Sequence, residues 1–200
     1  MRKAKIFAVT AVMLLVAGLG YCRAERLISD EKAIKEMLPE TDRVEKIVRT
    51  LTEAEIAVIK GQLGSLTLAA EGGKKAADVM EYAFYFGMKG DKKTGVALFD
   101  SEPGKWGAIN FIYCLDPETG KIRNMAVVSL SEKRGRPVAL KSFLKQFFGR
   151  GKADPFDIGK GLNAIAGATV SSKTAAFSAR KAVVLYDALF PRPQTAPNPQ

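Results

Sequence analysis

The chain has 200 residues, 47% of them apolar and 26% charged, the composition of a globular protein with one core rather than of a disordered or polytopic membrane chain. It contains no histidine, which excludes Ser-His-Asp and Cys-His nucleophile arrangements, His-ligated haem and the common zinc sites. The formal net charge is +10, yet the cations are scattered and no nucleic-acid motif accompanies them, so nucleic acid is not an expected partner.

Residues 1–24 run from Arg2, Lys3 and Lys5 through an apolar stretch to Cys22-Arg23-Ala24, the order of a secretory signal peptide with cleavage expected after Ala24. The apolar stretch is shorter than the roughly 20 residues that span a bilayer. Cleavage would remove four of the 31 cations and no acid, leaving 27 basic and 21 acidic residues and a charge of +6. An exported chain with that balance meets anionic membrane faces, acidic redox partners or phosphorylated ligands. Of the two cysteines only Cys114 would remain, and its place in a predicted strand makes it a buried, inert thiol.

Residues 25–75 read as a helical extension. Ser29-Asp30-Glu31 opens a helix that carries Ala33, Ile34, Met37 and Leu38 and stops at Pro39. Thr52-Glu53-Ala54-Glu55 is a capping box, followed by an apolar face of Ile56, Ile59 and Leu63 and a stop at Gly64. From about 79 to 130 the period becomes alternating. Tyr82, Phe84 and Phe86 share one side of a strand, a second strand lies around 95–99, and runs at 106–115 and 122–130 flank the turn Asp116-Pro117-Glu118-Thr119-Gly120. Most aromatic residues here are expected in the sheet core.

Residues 138–148 read as an amphipathic helix with Leu140, Phe143, Leu144 and Phe147 on one face. Residues 149–168 form a loop holding Gly149, Gly151, Gly159, Gly161 and Gly167, able to bend tightly and lay backbone N–H groups near a ligand. A last helix runs from about Ser171 or Ser172 to Phe190, with Ala175, Ala179, Ala182, Tyr186 and Leu189 along one stripe, and Pro191 closes it. The tail at 191–200, with four prolines, is expected to be disordered. The fold class is α+β, a twisted antiparallel sheet with packed helices.

Chemistry concentrates in Asn163-Ala164-Ile165-Ala166-Gly167-Ala168-Thr169-Val170-Ser171-Ser172, where a glycine loop brings three hydroxyls to the start of a helix. Backbone N–H groups and the positive end of the helix dipole favour an anion such as a phosphate there. The same residues also suit a plain helix cap made by Thr169, Ser171 or Ser172, and spacing does not choose between the two.

The segment Gly167-Ala168-Thr169-Val170-Ser171-Ser172, with Asn163-Ala164-Ile165 before it and an alanine-rich helix after it, resembles the flavinylation motif of the FMN-binding domain family. That family includes the C subunit of the sodium-pumping NADH:quinone oxidoreductase and the G subunit of the Rnf electron-transport complex. Ser131-Glu132-Lys133-Arg134-Gly135-Arg136-Pro137 resembles the family's Glu-Thr-x-Gly loop, and Phe143-Leu144-Lys145-Gln146-Phe147 its Phe-x-x-Gln-Phe helix. The likeness covers roughly residues 80–190, and the FMN-binding domain would span 76–190.

The resemblance implies FMN held by Gly167, Ala168, Thr169, Val170, Ser171 and Ser172, with Glu132 and Gly135 near the isoalloxazine ring. It further implies that Thr169 is esterified to the FMN phosphate by an exported transferase that uses FAD and magnesium. Lys133, Arg134 and Arg136 are either solvated or neutralise a reduced flavin, and Arg150, Lys152 and Lys160 either face solvent or supplement phosphate binding. Two positions depart from the family pattern: Asn163 stands where Asp is usual, and Ala166 where Ser or Thr is usual. The implied role is electron transfer with a membrane or periplasmic redox partner. A small flavin-dependent reductase and a cofactor-free periplasmic adaptor are the rival readings.

Overall fold

The structure is a computed structural model that describes residues 24–70 and 78–192. The expected leader, apart from Ala24, and the proline-rich tail from 193 lie outside the described residues. The elements are β1 (Glu25–Arg26), α1 (Asp30–Met37), β2 (Arg43–Thr50), α2 (Glu53–Leu63), β3 (Glu81–Lys89), β4 (Lys92–Pro103), β5 (Ala108–Leu115), β6 (Ile122–Leu130), α3 (Lys141–Leu144) and α4 (Thr169–Leu189). Short 3-10 turns at Arg136–Ala139 and Lys145–Phe147 flank α3. Among these residues no helix is long and apolar enough to cross a membrane.

Six antiparallel strands form one sheet in the order β1-β6-β5-β4-β3-β2. Both faces are covered, which makes the fold α+β in three layers. On one face Phe84, Phe86, Leu98, Phe111 and Tyr113 pack under α2 and α4, whose stripe of Ala175, Ala179, Ala182, Tyr186 and Leu189 is buried. On the other face α1 lays Ala33 and Met37 over Ala97, Ile112, Cys114 and Val128. Being covered twice, β5 is apolar on both sides from Phe111 to Leu115 and shows no clean alternation there. Burial pushes the Cys114 thiol up to about 11, so it is inert.

The capping box stands as read: Thr52 N–H donates to Glu55 Oε2 at 2.8 Å, Glu55 N–H donates to Thr52 Oγ1 at 3.3 Å, and Gly64 closes α2 at φ +81°. Three expectations need correction. The 25–75 region is not helical throughout, because β1 pairs with β6, and β2 forms a whole edge of the sheet against β3. All of β2 except Arg49 is exposed, and it alternates charge with Val44, Ile47 and Val48 in no consistent phase, so it carries no half-buried strand signal. The 138–148 helix is broken. Leu140 is extended (φ −71°, ψ 133°) between the first 3-10 turn and α3 and faces solvent at 57% exposure, while Phe143, Leu144 and Phe147 are buried. Finally, Trp106 is half exposed at the β4–β5 turn instead of joining the sheet core.

One polar contact fixes where α4 sits along the sheet. Lys181 is fully buried on the sheet-facing side of α4, and its Nζ pairs with Asp100 Oδ1 at 2.5 Å and with Glu102 Oε1, both on β4. Ser178 Oγ donates to Asp100 Oδ2 at 2.6 Å and accepts from Tyr113 Oη at 2.8 Å. Removing one partner from a buried ion pair strands the other charges without water, at a cost of about 3–5 kcal/mol. Lys181→Ala should therefore lower the unfolding free energy by about that amount in urea titrations, whereas the triple change Lys181→Met, Asp100→Leu, Glu102→Leu should restore much of the loss.

Candidate functional site

Three segments distant in sequence meet beside the first turn of α4. The β4–β5 turn supplies Lys105 and Trp106, the loop after β6 supplies Glu132, Lys133, Arg134 and Gly135, and the head of α4 supplies Gly167, Ala168, Thr169, Val170 and Ser171. Between them lies a cleft of about 630 Å³.

Glu132 joins the three. It is buried, with Oε1 accepting from the Trp106 backbone N–H at 2.9 Å and Oε2 accepting from Ser171 Oγ at 2.5 Å. One carboxylate thus ties the hairpin tip and the α4 terminus to its own loop, and charged acceptors of this kind make the stronger hydrogen bonds. Gly135 is required beside it. A Cβ there would collide with Ser171 Oγ and stand 2.6 Å from Glu132 Oε2.

The three hydroxyls part company. Helix α4 begins at Thr169, two residues earlier than read, and its N-cap Ala168 has no side-chain cap. Ser172 is fully buried and does not line the cleft. Its Oγ donates to Ala168 O at 2.9 Å and accepts from Ile165 N at 3.0 Å, so it shapes the turn rather than meeting a ligand. Ser171 is committed to Glu132. Thr169 is exposed in the cleft, and its hydroxyl is left open to it. Gly167, at φ +75°, makes the turn ahead of it, and nothing stands within 4 Å of where a Cβ would be.

The rest of the glycine loop serves structure. Gln146 Oε1 accepts from Asn163 N at 2.8 Å, holding the loop to the segment after α3. Arg150 donates to the carbonyls of Gln146, Pro155 and Gly161 at 2.6–2.8 Å, and Lys152 pairs with Asp187 at 2.6 Å, so neither is available to a phosphate. Lys160 is exposed and 4.0 Å from Asp157. Arg136 pairs with Glu25 at 2.8 Å, which leaves Lys133 and Arg134 as the loop's cations on the cleft. Sequence reasoning missed Lys105 and Trp106. Lys133 Nζ and Lys105 Nζ lie 5.4 and 5.9 Å from the indole centroid, giving the cleft a cationic, aromatic lip. The signal for it was the Gly104-Lys105-Trp106-Gly107 turn, in which two glycines isolate the tryptophan from either strand.

Ser171→Ala would leave Glu132 Oε2 buried without its donor, and Gly135→Ala would force the carboxylate and the serine apart. Each should cost about 1–3 kcal/mol in a denaturation midpoint, and trypsin should cut faster after Lys133 or Arg134 in both variants.

No protein-family model matches the chain, and no curated protein does. The fold has a counterpart among solved structures. The crystal structure of Shewanella oneidensis NqrC superposes with a TM-score of 0.52 over 78% of this chain and 85% of that one, at 14% sequence identity. At that identity the likeness is one of fold: an NqrC-like α+β domain.

Proposed function

We propose that the protein is an exported flavoprotein that holds FMN in this cleft as a phosphoester on Thr169, and carries electrons at the outer face of the cytoplasmic membrane. The observation behind this is the contrast among the three hydroxyls: Ser171 and Ser172 are spent on protein partners, while Thr169 opens into the cleft at the head of a 21-residue helix. The volume falls within the roughly 300–1,000 Å³ of small-molecule sites.

The residues fit the group. The end of α4 offers the positive pole of its dipole to a phosphate, and Gly167 leaves open space for close approach to the main chain. Trp106 presents a flat apolar surface, and Lys105, Lys133 and Arg134 favour negative charge between the walls. Bound there, FMN supplies one- and two-electron redox chemistry. The chain orients it, seats its phosphate and sets the surrounding charge. In attachment, Thr169 Oγ1 would give up its proton and join the FMN phosphorus of FAD, with AMP leaving, on an exported FAD- and magnesium-dependent transferase. Export as read from residues 1–24 would bring chain and transferase together. The NqrC fold supports a place beside a membrane redox partner, since NqrC is the C subunit of a sodium-pumping NADH:quinone oxidoreductase.

Coexpression with the transferase should give a flavin-fluorescent band after denaturing electrophoresis. Thr169→Ala should lose it and Thr169→Ser should keep it. Fluorescence that washes out on denaturation would remove the covalent link alone. A wild-type chain without flavin under these conditions would overturn the reading in favour of a cofactor-free adaptor.

A further inference from the structure

The Lys181–Asp100–Glu102 cluster holds more charge than its clamp requires. One ammonium faces two carboxylates in the interior: Lys181 and Glu102 are fully buried and Asp100 is 6% exposed. With both acids ionised the cluster carries one net negative charge, an unfavourable state for a buried group, and a single proton cancels it. Glu102 is the acid placed to take it. Its side chain is the more deeply buried of the two acids, its Oε1 meets Lys181, and its Oε2 has a neutral backbone donor, Leu68 N–H at 2.9 Å; Asp100 shares Lys181, accepts from Ser178 Oγ and keeps 6% exposure. Burial, opposed by Lys181 and by the Leu68 N–H hydrogen bond and reinforced by Asp100, moves the Glu102 carboxyl up to about 7.

The groups around it come from every packed element: Lys181 from α4, Asp100 from β4, Tyr82 from β3, Leu68 N from the segment after α2, and Tyr113 of β5 through Ser178. Two buried hydroxyls nearby, Tyr82 Oη and Thr67 Oγ1, have no hydrogen-bond partner. Burial pushes the Tyr82 phenol up to about 12, so it stays neutral.

Each end of the cluster leads somewhere. Strands β3 and β4 are paired only from Phe84 opposite Leu98 towards their turn. Beyond that point they part, and a cavity of about 510 Å³ lies in the gap, reaching Tyr82 and Asp100 from a rim that includes Arg26 and Asp30. In the other direction β4 continues through Pro103, whose carbonyl accepts from Thr174 Oγ1 at 2.8 Å, to Gly104, where a Cβ would stand 2.5 Å from Glu132 Oε1. Glu102 and Gly104 are two residues apart on an extended strand, about 7 Å.

We propose that Glu102 is a proton-binding site that takes a proton through the cavity between β3 and β4 when negative charge arrives in the cleft. This rests on the flavin reading for the source of that charge. One electron from an external reductant reduces the bound ligand by one equivalent and adds one negative charge. One proton from water converts the Glu102 carboxylate to the carboxylic acid, so the net charge of protein and ligand is unchanged.

The test uses the mature wild-type chain, reduced electrochemically, with redox difference infrared spectra recorded with and without ¹³C-glutamate labelling. A carboxylic C=O band should grow on reduction, shift with the label and vanish in Glu102→Gln, a neutral isostere that keeps an oxygen for Leu68 N. In a weakly buffered solution with a pH indicator, Glu102→Gln should take up fewer protons per electron than wild type, and Ser101→Phe, at the cavity, should slow the uptake. No labelled band in the wild-type chain, or equal uptake in wild type and Glu102→Gln, overturns the proposal. Absence of flavin absorbance signals failure of the parent reading instead. The apoprotein still decides the site in that case: its labelled glutamate band must appear as pH falls through about 7, and a chain whose glutamates all titrate in the ordinary carboxylate range overturns it.

Discussion

A lysine without access to water fixes the position of α4 along the sheet, and everything at the cleft inherits that position. The N-terminal half of the helix's sheet-facing stripe carries Ala175, Ala179 and Ala182, and small side chains of one size do little to fix a register. Lys181 removes the freedom by pairing with two particular carboxylates of β4. Twelve residues upstream, about 18 Å at 1.5 Å per residue, the same rigid rod delivers Thr169 to the cleft. A shift of one turn would carry Ser171 away from Glu132 and break the floor of the site.

Glu132 does locally what Lys181 does globally. At the junction of the hairpin tip, the 131–137 loop and the α4 terminus, Trp106 is half exposed and the loop is rich in charge. A single buried acceptor with two committed oxygens joins all three. The cleft therefore depends on polar contacts whose partners lie 26 and 39 residues away in sequence, and this is why spacing alone did not decide between a helix cap and an anion site.

What could be read in advance followed from local rules. The α2 capping box is a local hydrogen-bond motif, while the buried face of Tyr82, Phe84 and Phe86 and the alanine stripe of α4 each repeat a period that burial enforces. What could not be read came from elements whose burial is incomplete or whose polar groups face inward. The edge strand β2 has no buried side to impose a period. Ser172 looked like a ligand-facing hydroxyl because a side chain's target cannot be seen from its position in a motif. Lys181 was nevertheless legible: Thr174, Ser178, Lys181 and Leu185 fall at i, i+4, i+7 and i+11 on one buried stripe, and Asp100 and Glu102 continue the inward alternation of Val96 and Leu98. Two acids and a base in phase with core residues on facing elements mark a buried cluster.

The distribution of acids then bears on whether electrons or substrates are handled in the cleft. Turnover of a small acceptor requires a proton donor or acceptor aimed at it. Among the residues lining the cleft Glu132 is the one carboxylate, and both its oxygens are occupied; Ser171 donates to it, and the chain has no histidine. What faces the open volume is a threonine hydroxyl, an indole and three cations. Such walls favour added negative charge. Glu102, the proton-binding acid proposed above, lies in the core on the strand that passes under the cleft, where it would answer a change of charge without touching what carries it. Under the proposed flavin reading that separation suits a carrier, in which electron and proton need only share a field.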